Sequence, residues 1–273
     1  MNEAGVRGDM RGDMRGDMRG GGSRITAAEH RSALAGLLET TPAAVPGYLS
    51  AHSGLPGPRA NLPLVDVFAA VAPAALVFQL AASPDEYLAL CGTEGLGRLC
   101  LAPPTRTEAL AALARAAADP RWRVREGAAR ALQLIGDHDP ARLHELIEAW
   151  SGVPDPWLAR AVVAGISEPR LLRNPAAQAL AVQVCARAST LLLAGWPPAA
   201  DPARDQEAHR VLRLALGYGW SVAIAANPTA GLAAFGALAD RDEADARWIV
   251  RSNLTKARLR TVLAERNLVG RFD

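Results

Sequence analysis

Lysine, aromatic residues and paired cysteines are scarce in this chain of 273 residues. Lys256 is the only lysine, and no glycine-rich loop precedes it, so the phosphate-binding pattern G-x-x-x-x-G-K-[ST] is absent from the sequence. A Schiff base requires a lysine, and only this one position offers it. These two absences argue against kinases, P-loop nucleotidases and most pyridoxal-phosphate enzymes.

The cysteines are too few and too far apart to form a disulfide framework or a zinc site. Cys91, Cys100 and Cys185 are odd in number and show no C-x-x-C spacing. Their apolar surroundings predict buried, reduced thiols in a cytoplasmic protein. No N-terminal apolar segment resembles a signal peptide, and the most apolar stretch, residues 67–82, is too short to span a bilayer. We therefore expect a cytoplasmic location and no membrane partner.

The histidines do not form a metal site in the sequence. His138 and His144 lack the spacing of metal ligands and have no evident third ligand. His138 lies between two aspartates, which fits a turn followed by a helix cap. The sequence therefore predicts neither a metal nor another cofactor.

Helix signals dominate what remains, and runs with the two-residue period of strands are absent. Six Asp-Pro or Asn-Pro pairs each precede a stretch of helical periodicity. An Asp or Asn at the N-cap accepts a hydrogen bond from the first turn, and a proline at the next position already has a helical φ. These pairs are Asp119-Pro120, Asp139-Pro140, Asp155-Pro156, Asn174-Pro175, Asp201-Pro202 and Asn227-Pro228. The predicted fold class is all-α, built from short helices on short turns.

Other local patterns refine this prediction. Capping boxes occur at Thr26 and Thr105, a further helix start occurs at Ser83-Pro84-Asp85-Glu86, and Asn61 fits an N-cap. Residues 41–63 are rich in proline and glycine, which predicts a short helix near Tyr48 and then an ordered loop. Helices are predicted to pair as 106–118 with 120–135, 140–151 with 156–166, 175–194 with 202–226, and 228–239 with 245–264. Gly217 and Gly219 are expected to interrupt the helix over 202–226.

The chain divides into three regions by composition. Residues 1–22 repeat Arg-Gly-Asp-Met and contain every methionine of the protein, Met1, Met10, Met14 and Met18, each of which is a plausible start. With so little apolar content, this tail is predicted to be disordered. We expect a divergent helical region over 23–104 and regular repeats over 105–273, continuous with it.

One segment of the repeat region has a specific pattern. Asp119 is followed six residues later by Arg125, which comes directly after Val124, and then by Ala128 and Leu132 on one helical stripe. The same Asp-to-Arg spacing recurs from Asp245 to Arg251, while 155–160 carries a version one residue shorter. This pattern resembles the HEAT-repeat consensus over roughly residues 62–264.

The resemblance implies a right-handed α-solenoid of about four to five HEAT-like helix pairs. In HEAT arrays the Asp and Arg usually bond across neighbouring repeats, so Asp119 and Arg125 are expected to be structural. Such arrays most often act as scaffolds. We therefore expect a non-enzymatic protein that binds a protein partner on its concave surface.

The alternative is a DNA-binding protein or a glycosylase that removes alkylated bases. HEAT-like DNA glycosylases use aromatic, acidic and basic residues on the concave surface, and Trp122, Glu126, Arg125 and Arg130 are similar in type. No motif specific to those enzymes is present, so no catalytic residue is assigned. Trp122 lies off the apolar stripe, and packing against a neighbouring helix pair is its expected environment.

Basic residues cluster on the second helix of two predicted pairs, which keeps nucleic acid as an alternative partner. The opposing interpretation is a solvated face held by ion pairs. The candidate binding residues under either function are Trp122, Arg123, Arg125, Glu126, Arg130, Trp157, Arg160, Trp248, Arg251 and Arg258.

Overall fold

The computed structural model describes residues 25–272, and within that range the protein is all-α, with 14 α-helices and no strand. The helices are α1 Ala27–Thr40, α2 Val45–Ala51, α3 Leu62–Val71, α4 Ala74–Ala81, α5 Glu86–Leu101, α6 Arg106–Ala117, α7 Trp122–His138, α8 Pro140–Ser151, α9 Pro156–Ile166, α10 Pro175–Ala194, α11 Pro202–Ala226, α12 Pro228–Ala239, α13 Ala244–Leu254 and α14 Ala257–Glu265. Two short 3-10 helices cover Pro42–Ala44 and Pro169–Leu171. The expectations for the tail over 1–22 and its four methionines fall outside the described residues.

Five of the six Asp-Pro and Asn-Pro pairs start a helix as predicted. In each, the Asp or Asn side chain accepts a hydrogen bond from a backbone N–H of the first turn, and the proline is the first helical residue. Asp155, for example, accepts from Trp157 N at 2.7 Å and from Leu158 N at 3.2 Å. The exception is Asp119, because α7 begins at Trp122 and not at Pro120. Asp119 instead bonds the backbone and guanidinium of Arg121.

The other start signals were correct in all four places, although one of the two capping boxes does not form. Thr26 forms the complete capping box with Glu29, and Asn61 caps α3. The start near Ser83 is confirmed, with Asp85 as the cap. The capping box at Thr105 does not form, because its hydroxyl bonds Leu99 O at 2.8 Å.

Two predictions for the C-terminal part were wrong. Gly217 and Gly219 do not interrupt α11, which runs unbroken from Pro202 to Ala226. A Cβ at Gly217 would lie 2.7 Å from the Trp248 ring, so this glycine serves close packing between helices. The single helix expected over 245–264 is two helices, α13 and α14, separated by a turn at 255–256.

Residues 41–63 follow the prediction. The short helix near Tyr48 is α2, and a loop without a helix connects it to α3. The loop is tied to its surroundings through Asn61, whose Nδ2 donates to His52 O at 2.9 Å. Tyr87 on α5 donates to Asn61 O at 2.8 Å, which links this region to the rest of the core.

The helices from α5 onward pack as two layers. Helices α5, α7, α9, α11 and α13, the first row, lie side by side in that order. Helices α6, α8, α10 and α12, the second row, each pack on two or three members of the first row. Each predicted helix pair is therefore in contact. The three cysteines are buried, as expected.

Helix α10 is long and apolar enough to cross a membrane by length and composition alone. In the fold it packs against α8, α9, α11 and α12, and 44% of its most apolar window is buried. Those contacts are typical of a core helix.

Candidate interaction surface

Polar contacts between neighbouring helices fix the first row in a parallel arrangement. Arg123 on α7 pairs with Glu86 on α5 at 2.8 Å, each of them at the start of its helix. Arg160 on α9 donates to Arg125 O on α7 at 2.7 Å. Because these contacts join equivalent turns, the N-termini of α5, α7 and α9 lie at the same end of the row.

The same arrangement continues to α13. His209 Nε2 on α11 lies 2.7 Å from Asp245 Oδ2 on α13, and Ser252 Oγ donates to Gly217 O at 3.0 Å. Asn253 on α13 is fully buried, and its Oδ1 accepts a hydrogen bond from Ser221 N on α11 at 2.8 Å. The exposed sides of α7, α9, α11 and α13 consequently face one direction. This surface, the row face, comprises Glu126, Gln133, Asp137, Ala164, Leu214, Tyr218 and Arg251.

Trp122 does not pack against a neighbouring helix pair, so that expectation was wrong. Its side chain is 56% exposed, and the Arg123 guanidinium lies 4.6 Å from the ring centre. The physical reason is the late start of α7. Asp119 is held by Arg121, so Pro120 stays in the turn and Trp122 becomes the first residue of the helix.

Two of the predicted binding residues, Arg125 and Trp157, contact α11, and a third, Arg160, contacts α7. Trp157 is 7% exposed and packs against Ala208 and Val211. Guanidinium groups of Arg125 and Arg204 lie over its ring at 5.4 and 5.3 Å. Arg125 is also buried, and Arg160 is shielded behind α7. A role of Arg125, Trp157 and Arg160 in binding stays a prediction, and in this structure they stabilise the fold.

Arg125 and Asp119 do not form the expected ion pair between repeats. Arg125 Nη1 donates to the carbonyls of Asp119 and Pro120, each at 2.8 Å, and Nη2 pairs with Glu207 at 3.0 Å. The Asp119 carboxylate pairs with Arg121 at 2.8 Å. Burial raises the pKa of Asp119, but the bonds and charge of Arg121 outweigh it, so this pKa lies below its usual value.

Arg130 is held between the carboxyl groups of Glu94 and Asp66 and is not a free cation. It pairs with Glu94, which is 2% exposed on α5, and with Asp66 on α3. Burial raises the pKa of Glu94 to about 8, against the opposing effect of Arg130. Glu126 accepts a long hydrogen bond of 3.5 Å from Arg160. The basic residues of α7 are therefore largely neutralised within the fold.

The candidate binding residues on α13 and α14 are partly or fully exposed. Trp248 is half-buried against Gly217, with the Arg213 guanidinium 4.3 Å from its ring centre. Arg251 is exposed, and Arg258 lies over the ring of Tyr218 at 5.0 Å.

Sequence reasoning missed two exposed apolar residues on the row face. Leu214 and Tyr218 are four residues apart on α11 and are 47% and 42% exposed. A helical projection of an unbroken α11 would have placed both on its outer side. The expected interruption at Gly217 and Gly219 concealed that relationship.

The described part of the chain contains no group of side chains arranged as metal ligands. Among residues 25–272 no three His, Cys, Asp or Glu side chains are grouped as metal ligands. His138 Nδ1 lies 3.0 Å from Leu134 O, within its own helix. No protein-family model, curated protein or solved structure matches this chain, so what can be proposed for it depends on the geometry described above.

Proposed function

We propose that the protein is a non-enzymatic scaffold with HEAT-like helix pairs that binds a protein partner on the row face. The observation that carries this proposal is the similar spacing of contacts at three of the four steps along the first row. Hydrogen bonds between its neighbouring helices join residues 37 apart for Glu86 and Arg123, 34 apart for Glu126 and Arg160, and 36 apart for His209 and Asp245. Similar separations are what stacked helix pairs of one repeat length produce. The step from α9 to α11 is longer, since Trp157 packs against Ala208 and Val211, 51 and 54 residues further on.

The arrangement supports an α-solenoid because each first-row helix mainly contacts the preceding and following ones. A second row covers one side of the first, so the row face is the side left open. In a solenoid of helix pairs this side forms the extended, concave binding surface. Its mixture of paired charges with exposed Leu214 and Tyr218 is suited to a protein partner, since interfaces combine apolar anchors with a polar rim.

The exposed Trp122 favours the DNA-binding alternative. The electrostatics of α7 oppose it, because Arg121, Arg123, Arg125 and Arg130 each pair with a carboxylate. An arginine already paired within the fold releases fewer counterions when it meets a phosphate. We therefore favour a protein partner over nucleic acid.

Site-specific photo-crosslinking in the cells that express the protein tests this proposal. A photoreactive amino acid replaces Gln133 or Ala164 on the row face, and matched controls replace Arg115 or His144, which are exposed on the second row. We expect a discrete protein adduct from the row-face positions and none from the controls. Adducts from the second-row positions alone, or no adduct from any position, would contradict the proposal. Adducts that disappear with nuclease would support the nucleic-acid alternative.

A further inference from the structure

The C-terminal end of the row face carries an uncovered apolar strip. Leu214 and Tyr218 lie one turn apart on α11, and both are among the few large apolar side chains that the fold leaves exposed. Trp248 lies beside them. Its ring is so close to Gly217, which lies between the two residues on α11, that a Cβ at Gly217 would be only 2.7 Å from it. The strip therefore extends across the junction of α11 and α13.

Cations without carboxylate partners occur on α13, on α14 and in the turn between them, next to this strip. Arg251, Lys256, Arg258 and Arg260 form no ion pair with any carboxylate among residues 25–272, whereas the arginines at the start of α7 are all paired. Arg258 Nη2 donates to the Tyr218 hydroxyl oxygen at 3.0 Å. Residues 244–272 carry seven Arg and Lys side chains against two carboxylates, so positive charge is in excess in this part of the chain.

Helix stability does not explain the position of these cations. Lys256 is the N-cap of α14, Arg258 and Arg260 lie in or next to its first turn, and no acidic residue occurs in that turn. Positive charge at a helix N-terminus opposes the helix dipole. An anionic binding partner would convert this unfavourable placement into a favourable one.

The aromatic rings suit a protein partner better than a nucleic acid. Base stacking needs an open ring face. The Arg258 guanidinium lies 5.0 Å from the centre of Tyr218, while Trp248 is covered by Arg213 on one side and approached closely by Gly217. Leu214 and Tyr218 stay 47% and 42% exposed, and their exposed parts fit an aliphatic or aromatic side chain.

We propose that Leu214, Tyr218, Trp248, Arg251 and Arg258, the basic-apolar surface, bind an acidic amphipathic segment of the partner protein. Apolar side chains of that segment contact Leu214 and Tyr218, and its carboxylates pair with Arg251 and Arg258. This inference rests on the proposed function, because it assumes that the partner is a protein.

Two fluorescein-labelled peptides and one nucleic acid serve as probes. The first peptide is helical, with Glu on one face and Leu and Phe on the other. The second replaces each Leu and Phe by Ser at unchanged net charge, and the third probe is single-stranded dT of similar charge. Fluorescence anisotropy with the full chain should show binding of the first peptide, weakened by salt, and much weaker binding of the other two.

Variants locate the binding surface. Arg251→Glu and Arg258→Glu should each weaken binding of the first peptide by roughly fivefold or more. Leu214→Ser should weaken binding of the first peptide but leave the second unchanged. Arg115→Glu, the same charge change on exposed α6, is the matched control and should have little effect. Far-UV circular dichroism checks that each variant is folded.

The proposal is overturned if the first peptide does not bind, if Arg115→Glu weakens it as much as Arg251→Glu, or if dT binds more tightly. Photo-crosslinking from Gln133 in the Arg251→Glu, Arg258→Glu double variant separates the two proposals. An undiminished partner adduct there would reject the basic-apolar surface while leaving the scaffold function intact. A lost adduct, with the protein still folded, would support both.

Discussion

At the residue scale, buried arginines hold distant parts of the chain together. Arg125 is the clearest case, because it joins the turn before α7 to Glu207 at the start of α11, 82 residues away. Both of its Nη atoms are used, and its guanidinium also lies over Trp157. Removing such a group leaves carbonyls and a carboxylate without their partner.

We therefore predict that Arg125→Ala lowers the free energy of unfolding by about 1–3 kcal/mol. Arg115→Ala is the matched control, since Arg115 is exposed, and it should change stability by less than about 0.5 kcal/mol. Urea denaturation measures both. An unchanged midpoint for Arg125→Ala, together with lost crosslinking to the partner, would make Arg125 a recognition residue instead.

Glu94 should make stability depend on pH. Its pKa is raised from 4.5 to about 8 in the folded protein by burial, so the folded state favours the protonated form. This contribution is fully present below about pH 4.5, and it is lost as the pH rises towards 8.

Glu94→Gln should remove that pH dependence, because Gln cannot ionise. Between about pH 5 and pH 8 the wild type should lose stability relative to Glu94→Gln by up to about 1.4 kcal/mol per pH unit. Urea midpoints of both proteins across this range give the difference, in which titration of the histidines largely cancels. If the urea midpoints of the two proteins change with pH in parallel, Glu94 stays ionised beside Arg130.

At the scale of helices, glycines allow the closest approaches. A Cβ at Gly97 on α5 would lie 2.6 Å from Ala131 O and 3.0 Å from Ala131 Cα on α7. Those are backbone atoms, so a side-chain rotation cannot relieve the clash. In contrast, nothing lies within 4 Å of a Cβ at Gly36, which is also inside a helix.

The same substitution should therefore have opposite effects at these two positions. Gly97→Ala should destabilise the protein by about 1–3 kcal/mol through overpacking. Gly36→Ala should stabilise it by about 0.5–1 kcal/mol, because alanine has the higher helix propensity. Thermal denaturation compares the two variants. A neutral Gly97→Ala would mean that α5 and α7 are not packed as closely as described.

Local sequence signals predicted most of the helices but not the details of their packing. Caps such as Asp155 act within one turn, so their pattern can be read directly from the sequence. The start of α7 was missed because Asp119 has a competing partner in Arg121. The pairing of Arg125 with Glu207 depends on how α11 folds back, and no local pattern encodes that. Likewise, the exposure of Trp122, Leu214 and Tyr218 is a property of the assembled layers.

At the scale of the whole molecule, the distribution of charge decides between the two kinds of partner. Net charge is only +2, and the arginines of α7 are paired within the fold. Unpaired cations on α13 and α14 lie near side chains whose ring faces are partly covered. Covered rings beside unpaired cations favour an acidic protein segment over a single strand whose bases would stack on those rings.

Titration of duplex DNA into the full chain, followed by fluorescence anisotropy at several salt concentrations, tests the proposed protein partner most directly. We predict no binding tighter than about 10⁻⁴ M near physiological salt, which is the weak limit of non-specific association. Micromolar binding that weakens steeply with salt would contradict the scaffold function. For about four phosphate contacts, the logarithm of the binding constant should fall with the logarithm of the salt concentration at a slope of roughly −3 to −4. In that case Arg258→Ala should reduce the slope by about one.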